Sequence, residues 1–225
     1  MNRLAIIQAL MSQKNLKNYL EIGVENGHIF FRIKSSFKVA VDPKFIFDAS
    51  RRFGKAILNP YNLANQYFEK TSDDFFAQDA QRVFAGKQLQ IALVDGMHEY
   101  QFALRDVENT LKYMVNEGVI IMHDCNPQTA GAAGRFEDWT VGEWNGDVWR
   151  TIIHLRSQRP DLNVFVLDCD QGLGIVTRNK PESGLSFTPA QIEALTYDDL
   201  VQNRSNWLNL KPASYFYEYF GLNPS

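Results

Sequence analysis

The sequence predicts an α/β fold, a mostly parallel sheet with helices on both faces, and three observations carry that reading. Short apolar runs alternate with stretches of helical spacing, the pattern of βα units. Each strong run stops abruptly on a glycine, an aspartate or a histidine. The chain has 225 residues, 45% of them apolar and 22% charged, enough to bury a core and ordinary for a globular protein.

In chain order, Leu4, Ala5, Ile6, Ile7, Ala9 and Leu10 predict an amphipathic N-terminal helix. Gln8 interrupts them and no small-residue cleavage site follows, so a signal sequence is not expected. The first strand is residues 19–22, closed by Gly23, and the second is residues 37–41, closed by Asp42 and Pro43. The dozen residues between them predict one crossover helix over 26–33. Residues 48–61, with Arg51, Arg52 and Lys55, read as a charged helix, either a solvated face or a cover over a ligand. A weaker strand over 66–70 precedes the strong one at 91–94, which ends in Asp95 and Gly96.

Phe102, Ala103, Val107, Leu111 and Met114 recur at helical spacing, predicting a helix over 100–115, with Asp106 pairing with Arg105 or Lys112 at the surface. The fifth strand, 119–122, ends in His123 and Asp124. A Gly-rich loop over 129–145 leads to a helix at 147–157, and residues 163–167 and 175–178 form a last strand pair. The tail holds Tyr215, Phe216, Tyr217, Tyr219 and Phe220, expected to dock onto the domain or onto a second subunit as a homodimer. No repeat or linker divides the chain, so one domain with a C-terminal extension is expected.

The net charge of −3 gives no sign of a nucleic-acid or anionic-membrane partner. No apolar run approaches the roughly 20 residues of a membrane span. Cys125 and Cys169 are too few to staple a domain of this size, so a reducing compartment, the cytoplasm, is expected. Cys125, Cys169 and His154 read as packing residues.

Ligands of open parallel sheets sit beyond the carboxyl ends of the strands. Here those ends carry Glu21-Ile22-Gly23-Val24-Glu25-Asn26-Gly27, then Asp42, then Asp95-Gly96-Met97-His98, then His123-Asp124-Cys125-Asn126. The first loop lacks the glycine spacing that seats a dinucleotide, and no phosphate loop occurs. A carboxylate at Glu21 suits an amine-bearing ligand, and Asp42 is placed to bond ribose hydroxyls. Together they suggest S-adenosylmethionine (SAM), a nucleoside with an amino-acid ammonium and no phosphates.

Tyr19-Leu20-Glu21-Ile22-Gly23 followed by Val41-Asp42-Pro43 resembles the opening of class I SAM-dependent methyltransferases. Thr71 to Phe76, Val94-Asp95-Gly96-Met97-His98-Glu99-Tyr100, Arg105-Asp106, Gly118 to Asp124 and Trp144 to Trp149 are similar to the family-24 methyltransferase group. That group (Methyltransf_24) is related to metal-dependent O-methyltransferases, including macrocin-type sugar enzymes. The resemblance covers residues 19–178. It implies a Rossmann-like seven-stranded sheet whose last strand is antiparallel, a SAM-binding methyltransferase domain over 1–180, and a helical, aromatic extension over 181–225. It further implies that Glu21, Gly23 and Gly27 line the methionine end of the cofactor and Asp42 the ribose. Ser72 and Asp73 would lie near adenine, with Asp95 beside the methionine. The first loop departs from the commoner Gly-x-Gly form.

Methyl transfer to a hydroxyl needs a base or a metal to help remove the proton. His98 suits the base, since imidazole titrates near neutrality. Asp124 stands beside it, and Asp95, Asp124 and Asn126 offer donors for a divalent cation such as Mg²⁺. The related sugar enzymes carry acidic residues where this chain has His98 and His123. That difference favours Mn²⁺, Fe²⁺ or Zn²⁺, or no metal. The expected activity is O-methylation of a saccharide or small metabolite. The alternatives are metal-free N-methylation and cofactor binding without turnover. Trp139, Trp144 and Trp149 read either as an acceptor-facing lid or as core.

Overall fold

A computed structural model describes residues 1–134, 136–139 and 142–224, so Arg135, Thr140 and Val141 of the 129–145 loop lie outside the described residues. The elements run α1 (Arg3–Gln13), β1 (Asn18–Ile22), β2 (Phe37–Asp42), α2 (Ala49–Leu58), β3 (Gln66–Glu69), α3 (Ser72–Gln78), α4 (Ala80–Val83) and β4 (Leu89–Val94). Then follow α5 (Tyr100–Leu111), β5 (Met114–Met122), α6 (Trp149–Gln158), β6 (Asn163–Leu167), β7 (Leu173–Thr177), α7 (Pro189–Ala194), α8 (Tyr197–Trp207), β8 (Leu210–Lys211) and α9 (Tyr215–Phe220).

The sheet order is β3-β2-β1-β4-β5-β7-β6-β8. β1 to β5 are parallel, and β7 runs antiparallel between β5 and β6. Seven strands were expected; the C-terminal extension adds a two-residue eighth, pairing Leu210 with Val166. Apolar side chains fill both faces. Phe75, Val107, Trp149 and Ile152 pack on one, while Ile6, Ile7, Leu10, Phe30 and Phe216 cover the other. The aromatic tail therefore docks on its own domain, with Tyr219 edge-on to Phe165 at 4.8 Å.

Register positions the site. Ile22 pairs with both Val41 and Val94, and Val94 with Met122. The next residues, Gly23, Asp42, Asp95 and His123, consequently leave the sheet at one level. Strand order reverses between β1 and β4, which opens a crevice there. The antiparallel pairing of Met122 with Gly174 brings the β6–β7 turn to the same rim.

The expected crossover helix over 26–33 is replaced by a short 3₁₀ turn, Phe30–Arg32. Gly27, inside that span, takes a left-handed φ of +73°, which breaks a right-handed helix. Buried Lys38 Nζ donates to the carbonyls of Phe30 at 2.8 Å and Ile33 at 3.0 Å, and Asn59 and Asn62 donate to that of Phe31. The charged helix is shorter than expected, ending at Leu58, while β5 starts earlier, at Met114. Asp106 is a further correction: it is 3% exposed on α5, facing inward rather than pairing at the surface. Trp149 is also core, 1% exposed in α6.

Candidate functional site

A cavity of about 810 Å³ lies over the carboxyl ends of β1, β2, β4 and β5. One half is built from Gly23, Asp42, Ser72, Asp73 and Gly96; the other from Arg3, His98, Asp124, Trp144 and Gln171.

In the first half the chain turns sharply at Gly23, where φ is +83° and a Cβ would stand 1.9 Å from the Asp95 carbonyl oxygen. Only glycine lets β1 close against β4 there. Asp42 is held by two backbone amides, Glu25 N at 2.7 Å and Lys44 N at 2.8 Å, which fixes its carboxylate at the rim. Ser72 and Asp73 open α3, capped by Thr71, and Arg105 Nη2 donates to Asp73 at 2.9 Å. Behind them, burial raises the Asp106 carboxyl to about 7, against a hydrogen bond from Ser72.

In the second half, Asp95, His98 and Asp124 converge, each offering one ligand atom within 4.8 Å of the others. His98 Nε2 lies 3.5 Å from Asp95 Oδ1 and 3.3 Å from Asp124 Oδ2. Its Nδ1 faces the Trp144 carbonyl at 3.1 Å. A carbonyl accepts only, so Nδ1 carries the proton. The lone pair of a neutral ring then points at two carboxylates, an arrangement satisfied by a second proton or by a cation. Burial opposes that charge on His98, but Asp95 and Asp124 outweigh it and raise the imidazole above its ordinary value. Burial also acts to raise Asp95. The imidazoles of His123 and His98 and the Arg3 charge more than reverse this, holding the carboxyl well below the usual range.

Asp124 sits at φ +62°, left-handed backbone of the kind that concentrates at functional sites. Its Oδ2 accepts from His123 Nδ1 at 2.7 Å and its Oδ1 from Asn145 Nδ2 at 2.6 Å. Asn145 Oδ1 is buried and takes no hydrogen bond from the described residues. Arg3 joins from α1, with Nη1 2.5 Å from His123 Nε2 and Nε 3.3 Å from Asp95 Oδ2. Burial opposes a second proton on His123, but the carboxylates of Asp124, Asp170 and Asp95 outweigh it and favour one. A guanidinium cannot accept, however, so the contact leaves Nε2 bare and the ring neutral.

Over His98 lies Trp144, ring centroids 5.3 Å apart and planes 29° apart. Gly146 locks this loop down: its φ is +61°, and a Cβ would stand 1.6 Å from the His98 carbonyl oxygen. Asp147 then caps the start of α5, accepting from Tyr100 N at 2.6 Å. Phe136 packs edge-on to Trp144 at 5.1 Å and stacks with Trp139.

Of the residues singled out from sequence, Gly23, Asp42, Ser72, Asp73, Asp95, His98 and Asp124 line the cavity. Glu21, Gly27 and Asn126 lie off it. The Glu21 carboxylate is buried on the other face of β1 and accepts from Tyr19 Oη at 2.5 Å. A Cβ at Gly27 would meet the Phe31 ring, so that glycine serves packing. Asn126 donates to Asp168 at 3.0 Å and accepts from Arg204. Cys125 is buried, and burial pushes its thiol up, away from nucleophilic use. Arg3, Asn145, Asp170 and Gln171 were not foreseen. The Trp144–Trp149 run pointed toward Asn145, and Gly172 and Gly174 toward the β6–β7 turn. Nothing in the sequence marks Arg3.

Residues 20–125 match the Methyltransf_24 family, described as a methyltransferase domain. No curated protein matches the chain. Among solved structures, the fold is similar to an O-methyltransferase from Bacillus cereus in complex with SAH, at 14% identity and a TM-score of 0.57, covering 79% of this chain and 80% of that one. It is also similar to an O-methyltransferase family protein from Burkholderia thailandensis, at 11% identity and a TM-score of 0.55, covering 80% of this chain and 56% of that one. This chain thus spans little more than half of the Burkholderia protein. At these identities the likeness shows a shared fold, and residues 20–125 are the part of the chain that is similar to a methyltransferase domain.

Proposed function

We propose that the chain is a SAM-dependent O-methyltransferase acting on a hydroxyl of a saccharide or small metabolite. The convergence of Asp95, His98 and Asp124 beside the Gly23–Asp42 corner, inside a methyltransferase domain, carries this reading. The corner fits the cofactor: Gly23 lines the cavity where β1 closes against β4, and Asp42 is held rigid to accept hydrogen bonds from ribose hydroxyls. Ser72, Asp73 and Asp106 bound the adenine end, and Asp95 faces the methionine end.

The hydroxyl oxygen attacks the methyl carbon and the C–S bond breaks, its electron pair going to sulfur to leave S-adenosylhomocysteine (SAH). The acceptor's proton passes to His98 Nε2, where Asp95 and Asp124 stabilise the imidazolium. The donor set also fits a divalent cation: two carboxylates, a ring nitrogen with its proton fixed elsewhere, and the unpartnered Asn145 Oδ1 nearby. When bound by Asp95, His98 and Asp124, such a cation would lower the pKa of the hydroxyl, and His98 would serve as ligand instead of base. Trp144, Phe136 and Trp139 form an aromatic wall suited to stacking on a sugar ring.

The test is transfer of labelled methyl from SAM to a panel of saccharides and phenolic or aliphatic alcohols, with and without chelator. Transfer abolished by chelator and restored by Mg²⁺ or Mn²⁺ assigns the cation. Transfer unaffected by chelator leaves His98 as base. Absence of SAH binding by calorimetry would overturn the proposal altogether.

A further inference from the structure

We propose that Arg3 is a positioning residue of this site, which rests on the reading of Asp95, His98 and Asp124 as its working groups. From the first turn of α1, its guanidinium turns Asp95 and His123 so that Asp95 Oδ1 and Asp124 Oδ2 both face His98 Nε2.

Each contact has one job. Arg3 Nε lies 3.3 Å from Asp95 Oδ2, which leaves the opposite oxygen, Oδ1, toward His98. Arg3 Nη1 meets His123 Nε2 at 2.5 Å and Asp170 Oδ2 at 3.2 Å. A guanidinium only donates, so His123 Nε2 must accept and the ring proton must sit on Nδ1. That proton is donated to Asp124 Oδ2 at 2.7 Å, fixing the second carboxylate. One side chain thereby sets both carboxylates from behind. Such outer partners orient ligands and bases, and losing one typically costs about 10–100-fold in metal affinity or activity. The fork geometry matters, because a lysine ammonium is a point charge that cannot bond His123 and Asp170 in fixed directions while pairing with Asp95.

Anchoring of α1 does not depend on this side chain. The Arg3 backbone N–H donates to Asp170 Oδ2 at 2.7 Å, Asn2 caps the helix, and Ile6, Ile7 and Leu10 are buried. Truncation at Arg3 can therefore be read apart from loss of the helix.

The experiment uses the full chain as wild type, Arg3→Ala and Arg3→Lys, each checked for its melting temperature. Histidine ring ¹⁵N–¹H correlation spectra, with the four histidines assigned by single His→Gln variants, report which ring nitrogen of His123 carries the proton. Mn²⁺ binding by electron paramagnetic resonance reports carboxylate geometry. The expected result is Nδ1–H with bare Nε2 at His123 in the wild type, and loss of that pattern in Arg3→Ala. Mn²⁺ affinity should fall about 10–100-fold in Arg3→Ala and less in Arg3→Lys. A protonated Nε2 in the wild type, or an unchanged His123 pattern in Arg3→Ala, overturns the proposal. If the wild type binds no Mn²⁺, the cation part of the functional reading fails, and the ring spectra alone decide the role of Arg3.

Discussion

His98 and Trp144 are joined twice, by the Trp144 carbonyl at 3.1 Å from His98 Nδ1 and by indole stacking on imidazole. The first contact fixes which nitrogen carries the proton and the second fixes the ring plane. Together they aim Nε2 at Asp95 and Asp124. His98→Ala removes the imidazole that, in the proposed function, accepts the hydroxyl proton or helps hold a cation. With any acceptor that the panel yields, its turnover should fall by about 100-fold or more. SAH affinity by calorimetry should stay near that of the wild type, since the cofactor corner is untouched. Equal activity in the two proteins would remove His98 from the chemistry.

Gly146 and Gly54 make opposite predictions for the same substitution. A Cβ at Gly146 would run into the His98 carbonyl oxygen, and its φ of +61° is a left-handed conformation. Gly146→Ala should therefore cost about 2–4 kcal/mol in urea denaturation. Around Gly54, inside α2, nothing lies within 4 Å of the added atom, so Gly54→Ala should stabilise by about 0.5–1 kcal/mol. Similar shifts in both variants would mean that the Trp144–Asp147 loop is not clamped on His98.

Asp42 is preset by the amides of Glu25 and Lys44, so in the proposed function its carboxylate would meet the cofactor ribose without being reoriented. Asp42→Ala should weaken SAH binding about 10–100-fold, the loss of charge-assisted hydrogen bonds. Adenosine should lose affinity with SAH, whereas methionine should not. An SAH affinity unchanged by the substitution would move the ribose elsewhere.

The strands and the rim were legible in sequence because apolar runs ended by Gly, Asp or His encode both a strand and where it stops. Gly23, Asp42, Asp95, His98 and Asp124 follow from that local pattern. Glu21 did not, because strand alternation sends it to the face opposite its neighbour Ile22, under the Tyr19 hydroxyl. Nor did Arg3, whose partners lie 92 to 167 positions away and share no spacing with it. The failed helix over 26–33 has a local cause instead: Gly27 adopts a left-handed φ of +73° that a right-handed helix excludes.

Glu21 sets the pH dependence of stability. Burial raises its carboxyl from 4.5 to about 8, against the hydrogen bond from Tyr19. Between those values the folded protein holds a proton that the unfolded chain has released. Unfolding is then favoured by rising pH, and stability falls through this window before levelling above it. From pH 5 to 7 the loss amounts to about 2–3 kcal/mol for this one group. Lys38, which burial lowers to about 7, acts with the opposite sign, but above that range. Glu21→Gln keeps an acceptor for the Tyr19 hydroxyl and removes the proton. Urea denaturation at pH 5, 6 and 7 should show the wild type losing stability relative to Glu21→Gln as pH rises, whereas parallel profiles would mean that the Glu21 carboxylate is already ionised in the fold.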